Sequence, residues 1–293
     1  MFRHFCYRPF IAIFALAAAL PANAYNPPPG GEEWNELVSP SFLGFGQDIT
    51  DTEAVMGSSV NPALGALREQ GAASFGYTSL IGEDTADDQQ FGHVVSAGAL
   101  LPTRIGVLGA NLTYLDSRLS DMDLGQLGRA RVSYSRDIFP QLLIGAAANL
   151  MVGTQDEFGL GLSADLGFVH LLGPRLGMED LRWGVTAQTL GIGFNPHEED
   201  ADGDDITGFP SIFTPTVGVS AVPWTHDDIS TGFATWVSAP RVQNLRIGGR
   251  LTVEFREFLT AGIGMRWDLH QSDESSNAQR SLIPSLGVEV NIT

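Results

Sequence analysis

The stretch "LRIGGRLTVEF", residues 245–255, puts Leu245, Ile247, Leu251, Val253 and Phe255 on one face of an extended chain and Arg246, Gly248, Arg250, Thr252 and Glu254 on the other. Alternation with period two over this length marks a strand with two unlike faces. The stretch "FLTAGIGMRW", 258–267, repeats the split, with Leu259, Ala261, Ile263, Met265 and Trp267 against Thr260, Gly262, Gly264 and Arg266. So does "LIPSLGVEVNI", 282–292, with Leu282, Leu286, Val288, Val290 and Ile292 against Ser285, Gly287, Glu289 and Asn291. Working backwards, the same pattern predicts strands near 229–238, 213–221, 181–190, 158–170, 142–152, 128–135, 105–115, 93–101 and 72–81, twelve in all. Within 105–115 the phase changes near Val107 and Leu108, which reads as a bulge or a misplaced boundary.

A soluble β-sandwich also alternates, but its strands are typically about 5–6 residues, whereas a tilted crossing of a bilayer needs about 9–11. The connections separate by parity. If the first strand runs outward, one side receives 82–91, 116–127, 153–157, 191–212, 239–244 and 268–281; the other receives 102–104, 136–141, 171–180, 222–228 and 256–257. The first set holds 18 acids and 3 arginines, the second 6 acids and 4 arginines. Long loops on one side and short turns on the other are the pattern of a transmembrane β-barrel, and closure removes edges that lipid would leave unsatisfied. The fold expected is therefore all-β, an antiparallel barrel occupying 71–293. Its apolar face meets lipid, and Trp183, Trp224, Trp236 and Trp267 are expected at the two interfaces.

The inward face then carries Arg129, Arg131, Arg182, Arg246, Arg250, Arg266, Asp165, Glu254 and Glu289. Cations in a narrow lumen need partners, for which Asp48, Asp51 and Glu53 are the candidates, with lumenal water as the alternative.

The chain opens with Arg3 and Arg8, a short apolar run "PFIAIFALAAAL" and "PANA", which together read as an export signal, 1–24, cleaved after Ala24. About 12 apolar residues fall short of the ~20 of a spanning helix. The only cysteine, Cys6, lies in that signal, so a mature chain has no disulfide, thiolate or lipidated cysteine. Lysine is absent: all 16 basic residues are arginine against 34 acids, a formal net charge of −18. That balance argues against a nucleic-acid partner, since phosphate binding needs a basic footprint. No G-x-S-x-G elbow, H-E-x-x-H or glycine-rich phosphate loop occurs, and no enzyme is expected.

Residues 25–70 do not alternate. A Pro/Gly-rich lead-in, "YNPPPGGEEWNELVSP", precedes room for short helices at 50–56 and 62–69, the second with Pro62 in its first turn. The stretch "FGQDITDTEAVMGSSVNPALGALREQGAASFGYTSL" resembles the N-terminal region of the outer-membrane long-chain fatty-acid transporter superfamily. There, small residues, an Asn-Pro-Ala triplet (here Asn61, Pro62, Ala63) and the first barrel strand follow one another. That superfamily includes hydrophobic-compound transporters and shuttle barrels of a secretion system. Its transporters usually have fourteen strands, so fourteen stands as the alternative to twelve. The resemblance implies a lumenal hatch formed by 25–70, with Asn61 and its neighbours against the inner wall; a periplasmic lead-in is the other reading.

Within "HEEDADGDD", Asp200, Asp202 and Asp204 fall at i, i+2 and i+4, a spacing from which oxygen ligands can wrap a calcium ion. The glycine and the final Glu of a calcium loop are out of place, and a solvated acidic loop is the preferred account. No other cofactor is expected. The expected setting is the bacterial outer membrane, with its lipid and lipopolysaccharide as surroundings. The expected function is passive uptake of small hydrophobic molecules through the plugged lumen. The alternative is a non-transporting barrel that binds an envelope protein as shuttle or scaffold.

Overall fold

Each alternating stretch becomes one strand, because only an extended chain keeps every second side chain on the same side. The computed structural model describes residues 48–50, 55–83, 89–119, 122–154, 158–192, 198–199, 205–206, 213–242, 245–256, 258–269 and 282–290. The strands are β1 (Ala72–Glu83), β2 (Gln89–Thr103), β3 (Gly106–Leu119), β4 (Met122–Phe139), β5 (Leu142–Thr154), β6 (Phe158–Arg175) and β7 (Met178–Ile192). They continue as β8 (Glu198–Glu199), β9 (Asp205–Ile206), β10 (Thr214–His226), β11 (Ile229–Ser238), β12 (Arg246–Phe255), β13 (Leu259–Asp268) and β14 (Leu282–Val290).

The strands β8 and β9 pair only with each other; the other twelve form one sheet in chain order, β1 to β7 and then β10 to β14. Every neighbouring pair in this sheet is antiparallel. Among the described residues no ladder joins β14 back to β1. The wrap is established by what the sheet encloses, since one short N-terminal segment touches β2, β6, β7, β10 and β12 in turn.

The two faces are inverted relative to a water-soluble protein. Outward positions are apolar and exposed, among them Phe75 (76%), Leu112 (61%), Leu251, Met265 and Leu286, while inward positions bury Asn111, Arg131, Asn149, Asp165, Thr186 and Gln188. An exposed apolar belt of this extent marks contact with lipid rather than water. No described helix is long and apolar enough to cross a membrane, so any crossing is by strands.

Three expectations are adjusted. The phase change near Val107 is a boundary and not a bulge: β3 begins at Gly106, opposite Thr103, and the bulge lies at Ser117/Arg118. The connections expected over 116–127 and 171–180 are mostly ladder. The hairpins run on to Leu119 and Met122 and to Arg175 and Met178, because antiparallel pairing continues past the apolar belt. In the second, Leu176 and Gly177 have φ of 58° and 78°, the double positive-φ pattern of a tight two-residue turn. Trp236, finally, does not sit at an interface. It shares the inward phase of β11 with Ala234 and Ser238 and is 4% exposed, because its cross-strand partner Gly248 leaves room for the indole.

The inverted faces generate a depth-dependent expectation. Leu112→Arg, in the middle of the belt, should lower folding stability in lipid by about 2–4 kcal/mol, and Leu108→Arg, beside the short turn, by less than about 1 kcal/mol. Urea unfolding in lipid vesicles checks it, and equal losses would remove the assignment of the belt to the bilayer.

Candidate functional site

A backbone that does not form strands inside a barrel must find hydrogen-bond partners on its wall. The segment before β1 forms two 3-10 turns, Val55–Ser59 and Pro62–Leu67. They overlap the two expected short helices, the first only at its end, since 51–54 lie outside the described residues. Asn61 separates the turns with extended φ and ψ of −134° and 108°, and its side chain caps the second by accepting from the Ala63 amide at 3.0 Å. Pro62 occupies the first turn, where its missing N–H costs nothing.

Asn61 does more than cap. Its Nδ2 donates to the Ile49 carbonyl at 2.7 Å and to the Phe168 carbonyl of β6 at 3.4 Å, and the residue is 0% exposed. Beneath it the wall is glycine. A Cβ on Gly145 would stand 2.5 Å from the Ala63 nitrogen, and one on Gly167 would stand 2.8 Å from Pro62 Cδ. Gly184 and Gly218 leave similar room for Thr50 and Ile49. These glycines face each other in two cross-strand pairs, Gly145 with Gly167 and Gly184 with Gly218. Beside this floor Ala63 and Leu64 pack on Leu143 and Val169, and Val55 packs on Leu100 and Val107.

A polar network adjoins the floor on the side of the long connections. Arg131 Nη2 donates to the Ser58 carbonyl at 2.8 Å, and its Nη1 reaches Asn149 Oδ1 at 3.2 Å and the Asp165 carboxylate. Arg129 donates to the same Asn149 oxygen at 3.0 Å and lies 3.6 Å from Asp165. Asn149 passes its amide to Ser163 at 3.2 Å. The other Asp165 oxygen accepts from the Thr189 amide at 2.7 Å.

That bond sits at an irregularity. The ladder between β6 and β7 shifts register around Asp165, and Thr189 has φ of 60°, a rare conformation for a β-branched residue. The shift turns both Gln188 and Thr189 inward, and Gln188 Nε2 donates to the Val60 carbonyl at 2.8 Å, beside Thr186 at 3.3 Å. Asn111 Nδ2 reaches Ser58 Oγ at 3.1 Å.

Arg129, Arg131 and Asp165 thus come together with the Asn61-Pro62-Ala63 segment. Arg182 faces inward but stands apart, forked onto Asp180. Arg250 lies across the lumen and pairs with Asp48 of the segment at 2.9 Å. Arg246 and Arg266 belong to the same strand pair as Arg250, and Glu254 accepts from Ser230 at 3.4 Å. Glu289 pairs in register with Thr260, its side chain lying outside the described residues, as do Asp51, Glu53, Asp200, Asp202 and Asp204. Sequence reading missed Asn111, Asn149 and Gln188, whose only signal was inward phase, Thr189, which alternation alone turns outward, and the paired glycines, whose signal was isolated glycine inside strand patterns.

The geometry defines a class: a transmembrane-type β-barrel whose lumen holds its own N-terminal segment. No protein-family model matches the chain, and no curated protein matches it. Among solved structures the chain is similar to a KdgM porin, at 10% identity and a TM-score of 0.44, over 76% of this chain and 100% of that one.

The glycine floor yields a direct expectation. In a chain carrying Ser59→Cys and Cys6→Ser, the one thiol should stay protected from a maleimide reagent, because Ser59 is buried. Adding Gly145→Val should expose it, since the new side chain would occupy the place of Pro62 and Ala63. Equal protection in both chains would mean that the segment does not rest on this floor.

Proposed function

We propose that the chain is a passive channel of the bacterial outer membrane whose lumen is closed by its own N-terminal segment and opens when that segment moves. The observation that carries this reading is Arg131, one buried side chain that holds both the wall, through Asn149 and Asp165, and the segment, through the Ser58 carbonyl. A segment tied by side-chain hydrogen bonds, rather than by a ladder, can leave without unfolding the wall. Each such bond contributes only about 0.5–1.5 kcal/mol net, rising to about 1.5–3 when a charge takes part.

Small hydrophobic molecules are the solute class that the superfamily resemblance supports. A specific observation favours a second class: the inner wall buries Ser96, Asn111, Thr113, Ser133, Asn149 and Gln188, which suits hydrophilic solutes. The scaffold alternative, a barrel that binds an envelope protein and passes nothing, predicts no solute flux in any state.

Deleting 25–60 should leave a barrel that still inserts, since its strands make their own ladders, and should raise single-channel conductance several-fold. Comparing uptake of a hydrophobic and a hydrophilic solute by vesicles carrying the deleted chain then assigns the class. Conductance unchanged by the deletion would contradict the reading and favour the scaffold.

A further inference from the structure

The outer face of the wall carries a hollow in the half of the belt nearer the long connections. Register across β3, β4 and β5 aligns Tyr114, Gly128 and Val152 in one outward row and Leu112, Ala130 and Leu150 in the next. These residues line one cavity of about 470 Å³. Side chains of β3 and β5 form its two ridges, and the short side of β4, Gly128 and Ala130, forms its floor. The packing of the wall does not call for that glycine. A Cβ on Gly128 would meet nothing closer than the Val152 carbonyl oxygen at 3.8 Å, whereas one on Gly145 would strike the lumenal segment.

The two ends of the hollow differ. Toward the short turns the next outward residue of β4 is Val132, exposed and apolar. Toward the long connections it is Gln126, which is exposed and pairs with Asp116 of β3, itself the partner of His93 on β2. At a rise of about 3.4 Å per residue, this polar row stands about 7 Å beyond the Gly128 row. His93 is exposed, and its Nδ1 lies 2.7 Å from the Tyr77 hydroxyl with the two rings stacked. Tyr77 therefore fixes the ring and leaves Nε2 for another group.

We propose that this hollow is a binding site for one linear acyl chain of a membrane lipid whose headgroup is uncharged and bears hydroxyl groups. The hollow opens on the belt that faces lipid, so its occupant comes from the bilayer and is apolar where Leu112 and Leu150 stand. An unbranched chain suits a channel one strand wide between two ridges. The headgroup then falls at the Gln126 row. Gln126 offers both a donor and an acceptor and His93 a ring nitrogen, a set that matches hydroxyls, whereas a phosphate would bring its charge beside the Asp116 carboxylate. The lipid rests against the outside of the wall and does not enter the lumen, so the site stands apart from the channel reading.

Native mass spectrometry of the purified full chain, released from detergent micelles after incubation with 1-palmitoylglycerol, tests the proposal, with palmitate as the charged comparison. The parent chain should retain one 1-palmitoylglycerol and little palmitate. Gly128→Leu, which puts a side chain on the open floor, should abolish that retention, and Ala164→Leu, on the exposed face of β6, should not. Gln126→Ala should lower occupancy about fivefold, the loss of one hydrogen bond. If Gly128→Leu fails to fold, Ala130→Leu fills the same floor and carries the same expectation. No retention by the parent, undiminished retention in the floor-filling variant or in Gln126→Ala, or equal retention of the two probes would overturn the proposal. Retention is read whether or not solute crosses, so its failure is distinct from that of the deletion test.

Discussion

The carbonyl groups of residues 49, 58 and 60 govern this structure. They belong to a segment that forms no ladder, they lie inside a barrel, and bare carbonyls there cost about as much as lost hydrogen bonds. Each is met by a side chain: Ile49 by Asn61, Ser58 by Arg131, and Val60 by Gln188 and Thr186. Those donors fix much of the rest. Arg131 must be buried, so Asp165 and Asn149 surround it; Gln188 and Thr189 must both point inward, so β7 shifts register beside Asp165. The left-handed conformation of Thr189 costs of order 1–3 kcal/mol, and Asp165 secures its amide. A strained residue is retained where the wall meets the segment, and not at the lipid face.

Much of the fold was legible because one rule generated it. Alternation at Leu245–Phe255 continues through every strand of the sheet, and a face that is apolar at Leu251 and Val253 but polar at Arg250 and Thr252 has a single orientation in a membrane. Strand ends were less legible, since hairpins such as Leu119–Met122 extend beyond the belt by pairing alone. Trp236 misled because its side chain is that of an interface residue, while its environment is decided by Gly248 on the next strand.

The site was legible in part, for a related reason. Asn61-Pro62-Ala63 announces a cap and a first turn within three consecutive residues, and inward arginines follow from phase. The glycine floor could not be read, because Gly145 with Gly167 and Gly184 with Gly218 become pairs only once register is known. Nor could the choice of partner for each charge: Asp165 takes Arg131 and Arg129, while Asp48 takes Arg250, and nothing in their spacing along the chain distinguishes these pairings.

The claim on which the account turns is that the segment must leave its seat before solute can pass. Ser58 and Asn111 touch at 3.1 Å across the boundary between segment and wall. A chain with Ser58→Cys and Asn111→Cys, and with Cys6→Ser to remove the native thiol, allows the two to be joined by oxidation. Solute uptake by vesicles bearing this protein should be lost when the disulfide is formed and restored by a reducing agent. Equal uptake in the oxidised and reduced states would contradict the account.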